Sequence, residues 1–428
     1  MRHLAFVAAV LLASTAPLAG AHAQTPTQQV AKVMNSAGYK TAVSVLDRDH
    51  DKIVADIIAL TEIPAPPFKE KARAEAYMAM LQGAGLTDVE MDAEGNVMGV
   101  RRGTGKPGRP LVVIAAHLDT VFPEGTPIKV KREGTRLLAP GIGDDTRSLA
   151  VLLAYVRAMN EAKIATDKDI LFVGNVGEEG PGDLRGVRYL FTKGKYKDRV
   201  GNFFSMDGTS AARVVTGGVG SKRYRVTFKG PGGHSYGAFG LVNPMAAMAA
   251  AVTEFYKIPV PATPKTTYAA SVTGGGTSVN SIPDATWMEF DMRSVSRDEL
   301  AKVEERFLEI MPAAAEAENA ARSTKEGKIV AELKMIGDRP AGHTDETLPL
   351  VQTAVAAVSA HGLKPDLGAS STDANMPMSL GIPGITIGSG GSGGRAHSLD
   401  EWIDVEKGSS LKGMTIGLTM LLATAGMK

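Results

Sequence analysis

The sequence predicts a doubly wound α/β domain that is interrupted by an inserted α+β unit. Up to about residue 215, short apolar runs typical of buried strands alternate with helical patterns. This alternation is the order expected of a mostly parallel sheet with helices on both faces. From residue 216 to 337 the strands become half-exposed, and the buried pattern returns over residues 338–428. The α/β domain is therefore expected to comprise residues 24–215 and 338–428.

Residues 1–23 are predicted to be a cleavable export signal. Arg2 precedes an apolar stretch over residues 4–12, and small residues close the segment before Gln24. No later run reaches the roughly 18 apolar residues that a spanning helix requires. We therefore expect a periplasmic or secreted protein, without a membrane span after signal removal and, because the chain has no cysteine, without a lipid anchor at the cleavage site.

Charge and cysteine content exclude several classes of function. Removal of Arg2 with the signal leaves 46 basic against 46 acidic side chains. Such a neutral surface argues against nucleic acid or anionic lipid as the main partner. The lack of cysteine excludes disulfides, thiol nucleophiles and thiolate zinc sites.

The predicted elements of the first segment alternate along the chain. Helical spacing is found over residues 53–60, 71–86 and 149–159, and buried strands are predicted over residues 97–100, 111–116, 170–176 and 203–206. After the inserted unit, a helix is predicted over residues 348–360 and a strand over residues 382–387. The sites of such sheets lie beyond the carboxyl ends of the strands.

The inserted unit is predicted to have the order βαββαβ. Alternating side chains predict strands over residues 224–229, 268–272, 286–293 and 328–336. Asn243 and Pro244 open one helix, and Ser296 with Glu299 forms a capping box for the other. This order indicates a compact unit of the split βαβ type.

Polar residues are concentrated in five short groups at the ends of apolar runs: His117 and Asp119, Asp144 and Asp145, Glu178 and Glu179, Asp207, and His397. Taken singly, they could be an edge histidine, a helix N-cap or a solvated turn. Together, carboxylates beside imidazoles need bound cations to offset their repulsion. Adjacent carboxylates also suit a division of labour, in which one binds metal and the other takes a proton from metal-bound water.

These groups resemble a known family, the co-catalytic zinc exopeptidases and deacylases. The motifs that carry the resemblance are His117-x-Asp119, Gly143-Asp144-Asp145, Gly177-Glu178-Glu179-Gly180, Met206-Asp207-Gly208, Gly232-Gly233-His234-Ser235 and Ala396-His397-Ser398. The family includes peptidase T, glutamate carboxypeptidase, acetylornithine deacetylase and succinyl-diaminopimelate desuccinylase. Membership implies a zinc-bearing catalytic domain that is interrupted by a lid domain through which two copies form a homodimer.

The resemblance implies that Asp144 bridges two zinc ions. One zinc would be bound in addition by His117 and Asp207, and the other by Glu179 and His397. Sites of histidine and carboxylate also accept cobalt or manganese, so the metal itself stays open.

The resemblance also assigns roles around the metals. Asp119 would orient His117, and Glu178 would be the general base that deprotonates the water between the metals and returns the proton to the leaving amine. In the lid, His234 would reach the site of the other subunit and steady the oxyanion. Arg293 and Asn280 match lid positions directed toward the substrate, Arg293 as a fork for a carboxylate.

Two features depart from this pattern or leave it open. Thr146-Arg147-Ser148 follows the aspartate pair, where the family commonly has lysine and glycine. The bare backbone of residues 388–394 could approach a substrate terminus or be a flexible linker. Ser398 and Glu401 are predicted to form a capping box immediately after this loop.

Two motifs in the sequence suggest other functions. Gly390-x-Ser392-x-Gly394 matches the nucleophile elbow of serine hydrolases, but its only later histidine is His397, five residues on. Residues 103–108 fit the glycine pattern of nucleotide-binding proteins, yet they lead into a strand instead of a helix. A metal-binding protein without turnover is a third alternative, which the presence of Glu178 and every ligand disfavours.

The sequence therefore predicts a metal-dependent exopeptidase that acts on short peptides. Deacylation of N-acyl amino acids by the same machinery is the alternative. The segments 63–70 and 178–186 favour the peptidase T branch. The motifs do not decide whether the enzyme would trim from the amino or the carboxyl end.

Overall fold

The computed structural model describes residues 24–428, so the predicted export signal lies outside the described residues. The helices are α1 (Pro26–Asn35), α2 (Ala37–Arg48), α3 (His50–Thr61), α4 (Lys71–Gly83), α5 (Arg147–Glu161), α6 (Arg185–Thr192), α7 (Pro244–Phe255), α8 (Arg297–Ala321), α9 (Pro349–Ala360), α10 (Asn375–Ser379) and α11 (Lys407–Ala425). None of the helices in this range combines the length and apolar character needed to cross a membrane.

The strands fall into one large sheet and three smaller ones. They are β1 (Thr87–Met91), β2 (Val97–Arg101), β3 (Leu111–His117), β4 (Lys131–Glu133), β5 (Arg136–Leu138), β6 (Ile170–Asn175), β7 (Val200–Met206), β8 (Arg213–Gly218), β9 (Gly220–Lys229), β10 (Gly233–His234), β11 (Thr266–Gly275), β12 (Ser281–Ile282), β13 (Ala285–Ser294), β14 (Val330–Arg339), β15 (Gly342–His343), β16 (Asp366–Ser370), β17 (Gly384–Ile387), β18 (Ser392–Gly394) and β19 (Trp402–Asp404).

The large sheet has the order β1-β2-β6-β3-β7-β17-β8-β15, with β16 paired to β8. At its centre, β3 lies between β6 and β7 and runs parallel to both, and β17 runs parallel to β7. The strands toward the edges, β1, β2 and β15, pair antiparallel. The carboxyl ends of β3, β6, β7 and β17 therefore meet at one edge.

Helices cover both faces of this sheet. Ile114 and Phe172 belong to one buried apolar cluster, which includes residues of α5, α9 and α11. Their neighbours Val113 and Val173 belong to a second cluster, which includes Leu190 of α6. Because consecutive strand residues point to opposite faces, the two clusters lie on the two sides of the sheet. The predicted doubly wound α/β class is confirmed.

A separate antiparallel sheet, β11-β13-β9-β14, forms the inserted unit with α7 and α8. The order of its six long elements is βαββαβ, as predicted. Its core contains Phe255, Phe290 and Phe307, whose ring centroids lie 5.0 to 5.8 Å apart. The sheet spans residues 220–339, and the exact domain limits at 216 and 337 stay a prediction.

A small sheet of β18, β19, β5 and β4 joins the last part of the chain to the segment before residue 139. It includes Ser392 to Gly394, so this part of the glycine-rich loop is an ordered strand and not a flexible linker. Two predicted elements are shorter in the structure: the helix from residue 71 ends at Gly83, and the strand after residue 382 begins at Gly384.

Candidate metal centre

Three of the predicted polar groups lie at the same edge of the large sheet. His117 ends β3, Glu178 and Glu179 follow β6, and Asp207 follows β7. Because these three strands are parallel neighbours, their carboxyl ends bring the side chains together. The order of buried strands therefore explains how residues distant in sequence form one site.

Asp144 comes from the loop that precedes α5, where its own backbone angles are not helical and its peptide bond to Asp145 is cis. The carboxylate of Glu401 holds this loop. It accepts hydrogen bonds from the backbone N–H groups of Gly141 (2.8 Å), Gly143 (2.7 Å) and Asp144 (2.9 Å). Burial raises the pKa of Glu401 to about 7, although these hydrogen bonds oppose the shift.

Glu401 thus has a different role from the one predicted. The expected capping box would pair its side chain with the start of a helix at Ser398. Instead, the Ser398 hydroxyl donates to Arg395 O at 2.6 Å, and the carboxylate of Glu401 reaches the loop of Asp144. The capping-box prediction was wrong because no helix begins at this point; β19 follows.

The two carboxylate oxygens of Asp144 face different histidines. Oδ1 lies 2.8 Å from His117 Nε2, and Oδ2 lies 3.2 Å from His397 Nε2. His397 Nε2 is also 2.9 Å from Glu179 Oε1. Asp144 belongs to two sets of donor atoms, one with His117 and Asp207 and the other with Glu179 and His397. Within each set the donor atoms lie within 4.8 Å of one another.

The charges of this cluster fit a site for two cations. Burial and the nearby charge of Asp144 raise the pKa of Asp207 to about 7, and burial raises the pKa of Glu178 well above its usual value. Hydrogen bonds to Asp144 and Glu179 raise the pKa of His397 to about 10. Without cations the cluster therefore retains protons, which divalent ions would displace. Imidazole and carboxylate donors suit zinc, cobalt or manganese.

Asp119 is fully buried and contacts both His117 and the backbone of the glutamate pair. Its Oδ1 and Oδ2 accept hydrogen bonds from the backbone N–H groups of Glu178 (3.0 Å) and Glu179 (2.8 Å). The nearest contact of His117 Nδ1 is the backbone oxygen of Asp119 at 3.1 Å, while Oδ1 lies 3.6 Å away. Asp119 therefore positions the glutamate pair as well as the His117 ring.

Glu178 belongs to a third donor set, with His117 and Glu179, and it has a partner that the sequence analysis missed. Nη1 of the buried Arg339 lies 3.0 Å from Glu178 Oε1 and 3.2 Å from Ser371 Oγ. Nη2 of the same guanidinium donates to the backbone oxygen of Glu178. Arg339 ends β14 of the inserted unit, so its contact with Glu178 depends on how the two units pack.

Asp373 was also missed. It is buried, and its Oδ2 accepts a hydrogen bond from Asn175 Nδ2 at 2.7 Å. Its Oδ1 has no hydrogen-bond partner among the described residues. Burial raises the pKa of Asp373 to about 6. The segment Ser371-Thr372-Asp373 does not follow an apolar strand run, and this explains why the polar-group criterion did not select it.

A cavity of about 430 Å³ opens over the cluster and is named here the arginine cavity. Its lining combines Glu178 and His397 with three arginines that the inserted unit supplies: Arg223, Arg293 and Arg339. Arg223 and Arg293 both donate to the carboxylate of Asp291, at 2.9 and 2.6 Å. Arg293 thus lies beside the cluster, and its role as a substrate contact stays a prediction.

His234 and Asn280 lie together elsewhere on the inserted unit. His234 is exposed on β10, and its Nδ1 accepts from the backbone N–H groups of Tyr236 and Gly237 at 3.2 and 3.1 Å. The backbone oxygen of Asn280 accepts from Ser235 N at 2.9 Å. Neither residue lines the arginine cavity within one chain.

The rival motifs have other structural roles. Ser392 pairs with Asp404 in the small sheet, and His397 is directed to Asp144 and Glu179. In the segment 103–108, the N–H groups of Gly103 and Gly105 donate to Asp169 Oδ1 and Asp167 O, at 2.8 and 3.0 Å. These donors are therefore already engaged within the protein.

Comparison with known proteins places the chain in a family. The model of peptidase family M20/M25/M40 matches residues 113–423. A curated relative, a LysW-lysine/LysW-ornithine hydrolase of Pyrococcus abyssi, is 32% identical over 130 residues, which cover 30% of this chain and 34% of the relative. The match thus spans about a third of the length of that curated protein.

Two solved structures show the same fold over nearly their whole length. The aminopeptidase PepT of Bacillus cereus is 21% identical with a TM-score of 0.70, covering 88% of this chain and 99% of that one. A dinuclear metal-binding peptidase of the M20 family from Bacillus subtilis is 16% identical with a TM-score of 0.65, covering 88% and 98%. The chain therefore belongs to the peptidase family M20/M25/M40.

Proposed function

We propose that the protein is a metal-dependent exopeptidase that hydrolyses amide bonds of short peptides, with Glu178 as general base. The observation that carries this proposal is the carboxylate of Asp144, which belongs to two sets of metal-donor atoms. Beside these sets lies Glu178, whose carboxylate is held by Arg339. Membership of a family of hydrolases supports it, as does the fold shared with an aminopeptidase.

The residues that would hold the cations are those of the two donor sets. Asp144 would be shared, His117 and Asp207 would complete one site, and Glu179 and His397 the other. Bound there, two divalent cations would polarise the scissile carbonyl and lower the pKa of a water molecule. We propose zinc as the native metal, with cobalt or manganese as substitutes.

Glu178 is proposed to move the proton. Its carboxylate takes a proton from the attacking water, whose oxygen forms the new bond to the carbonyl carbon. The same carboxyl then gives the proton to the amine nitrogen as the carbon–nitrogen bond breaks. Arg339 keeps Glu178 Oε1 in place through the 3.0 Å contact, and Asp119 fixes the backbone that carries the base.

Deacylation of N-acyl amino acids is the second candidate. The arginine cavity supports it, because guanidinium forks bind carboxylates in two-pronged fashion, and an N-acyl amino acid presents a free carboxylate next to its amide. A carboxypeptidase substrate presents the same group, so Arg293 serves both alternatives.

A panel of short peptides with either terminus blocked tests the proposal. Each peptide is assayed with metal-loaded protein and again after chelation. Cleavage that requires a free amine indicates an aminopeptidase, and cleavage of N-acylated substrates with a free carboxylate indicates the carboxypeptidase or deacylase alternative. Chelator-resistant activity that Ser392→Ala abolishes would contradict the metal mechanism in favour of a serine nucleophile.

We also propose export and dimerisation, as the sequence predicts. The mature chain is expected to begin near Gln24 in the periplasm or medium, which N-terminal sequencing of the exported protein would check. The exposed position of His234 and Asn280 on the inserted unit supports a homodimer in which they serve the partner's site. Exposed apolar side chains close to them in sequence, Tyr236, Phe239 and Val279, suit such an interface.

A further inference from the structure

A second cavity, of about 310 Å³, borders the metal centre and is named here the hydroxyl cavity. Asp144 and Asp207 line it as well as the arginine cavity, so the two cavities meet at the proposed metal ligands. A substrate whose amide lies at the metals would therefore extend one group into each cavity. The volume is at the small end of ligand pockets, which suits a compact substituent such as one amino-acid side chain.

The walls of the hydroxyl cavity carry several hydroxyl groups and are held by hydrogen bonds. Five hydroxyl side chains line it: Thr209, Ser210, Ser370, Thr372 and Thr386. The glycine-rich loop closes one side and is hydrogen-bonded to the loop after β7, with Ser389 N donating to Gly208 O at 2.8 Å and Gly390 N to Thr209 O at 3.1 Å. These hydrogen bonds hold the loop against the cavity, and the five hydroxyls offer hydrogen-bond partners to a polar group.

Arg213, at the start of β8, is the only basic residue of this lining. Asp366 lies beside it in register on β16, yet Arg213 forms no ion pair within 4 Å in residues 24–428. The arginines of the other cavity differ, because Arg223 and Arg293 are paired with Asp291. The positive charge of Arg213 is therefore free to meet a ligand.

The acidic lining residues do not cancel this charge when metals are bound. Asp144 and Asp207 would coordinate the cations, and the carboxylate of Glu401 is already engaged by three backbone N–H groups. An anionic group in the cavity would meet hydroxyl donors and the guanidinium of Arg213. Such charge-assisted hydrogen bonds are stronger than neutral ones.

We propose that the hydroxyl cavity selects a substrate with an acidic side chain next to the scissile amide, and that Arg213 is the specificity-determining residue. This inference rests on the proposed hydrolytic function, but not on the end from which the enzyme trims. Aspartate or glutamate is the class of residue that the cavity would take. Glutamine is the matched neutral isostere, because it fills the same volume without the charge.

The test compares glutamate with glutamine at each position of a dipeptide. We expect metal-loaded wild-type protein to prefer the glutamate member of one pair by about tenfold in kcat/KM, since one charge-assisted contact distinguishes the two. Arg213→Met should reduce this ratio to about one, chiefly by slowing cleavage of the glutamate peptide. Arg213→Lys should keep part of the preference, and Arg132→Met, which removes an exposed arginine of β4, should keep all of it.

A binding measurement separates this inference from the proposed function. Free glutamate should raise the Tm of metal-loaded wild-type protein more than glutamine does, and Arg213→Met should remove the difference. Equal cleavage of both isosteres, or a preference that survives Arg213→Met, overturns the role of Arg213. If no peptide is cleaved, the hydrolytic proposal fails, and the inference then fails too unless glutamate still gives the Arg213-dependent shift in Tm.

Discussion

Glu178 and Glu179 are neighbours in the chain, but the structure gives them different surroundings. Glu179 Oε1 faces His397 within a donor set that contains Asp144, whereas Glu178 Oε1 faces the guanidinium of Arg339. The backbone N–H groups of both are held by one carboxylate, that of Asp119. This arrangement supports the proposal that Glu179 binds metal and Glu178 transfers the proton.

The first prediction follows from this division. Glu178→Gln keeps the shape of the side chain but removes its ability to take a proton, so kcat should fall by about 10²- to 10⁴-fold while the metal content stays the same. Glu179→Gln is the matched control and should lose metal from one site. Steady-state kinetics and elemental analysis of both variants are the measurements. Turnover near wild type in Glu178→Gln would refute the base assignment.

Glu401 is predicted to position Asp144 without binding metal itself. A glutamine there cannot accept all three N–H hydrogen bonds, so Glu401→Gln should weaken metal binding roughly 10-fold, as outer-shell changes do. Glu406→Gln is the control, because Glu406 is exposed and its carboxylate accepts hydrogen bonds from the backbone N–H groups of Gly408 and Ser409 at the start of α11. Titration with zinc in competition with a chelating dye measures the affinity. Equal affinity in both variants would contradict this role.

At this scale the sequence predicted the residues that follow buried strands. A buried parallel strand ends where its apolar run changes abruptly to polar residues. This change predicts the positions of His117, Glu178, Glu179 and Asp207. Arg339 and Glu401 could not be found in this way. Arg339 contacts Glu178, which lies 161 positions away in the sequence, and this contact requires the inserted unit to pack against the α/β domain. Glu401 contacts Asp144, which lies 257 positions away, and this contact requires the small sheet to form.

Among the elements, α11 and the glycine-rich loop form a close contact that supports the site. A Cβ at Gly413 of α11 would lie 2.2 Å from the Cα of Gly390, far inside van der Waals contact. Gly390 in turn donates its N–H to Thr209 O, in the lining of the hydroxyl cavity. The helix therefore determines how closely the loop approaches the cavity.

Gly413→Ala is predicted to separate these two elements. The clash should lower the free energy of unfolding by about 1 to 3 kcal/mol and also reduce kcat/KM, because the loop is displaced. Gly83→Ala at the end of α4 is the control. A Cβ there meets nothing within 4 Å, so alanine should be neutral or stabilise by up to about 1 kcal/mol. Urea unfolding and kinetics of both variants test this, and unchanged values for Gly413→Ala would count against the contact.

The elements differ in how well the sequence predicts them. The buried runs of β3, β6 and β7 were predicted to within a few residues because both faces of each strand are covered. Helix α11 was not predicted, since nearly all of its second half is buried and it shows little apolar periodicity. The short strands β4, β5, β18 and β19 depend on pairing between distant segments and carry no local signal.

On the scale of the whole molecule, the position of His234 predicts that two chains cooperate. If His234 serves the partner's site, Glu178→Gln and His234→Ala should each be nearly inactive alone. Co-expressed chains should form mixed dimers with one complete site, and a random mixture should recover about a quarter of wild-type activity. Kinetics of the co-purified mixture, with each variant alone as control, measure this. Additive activity of the two variants would place His234 in its own chain's site or outside catalysis.

The sequence predicts the fold of each unit better than it predicts how the two units pack against each other. The alternation of buried strands and helices, and the change at about residue 216, predicted a doubly wound domain with a βαββαβ insertion. The way in which Arg223, Arg293 and Arg339 of the insertion face the metal centre was not predictable beyond Arg293, because side-chain pattern does not define the angle between two packed units.

The metal content of active protein tests the central claim most directly. Elemental analysis is carried out on protein whose peptidase activity has been measured in the same preparation. We predict two divalent ions per chain, loss of activity on their removal by a chelator, and recovery when zinc is returned. Full activity in protein that contains no stoichiometric divalent ion would contradict the account.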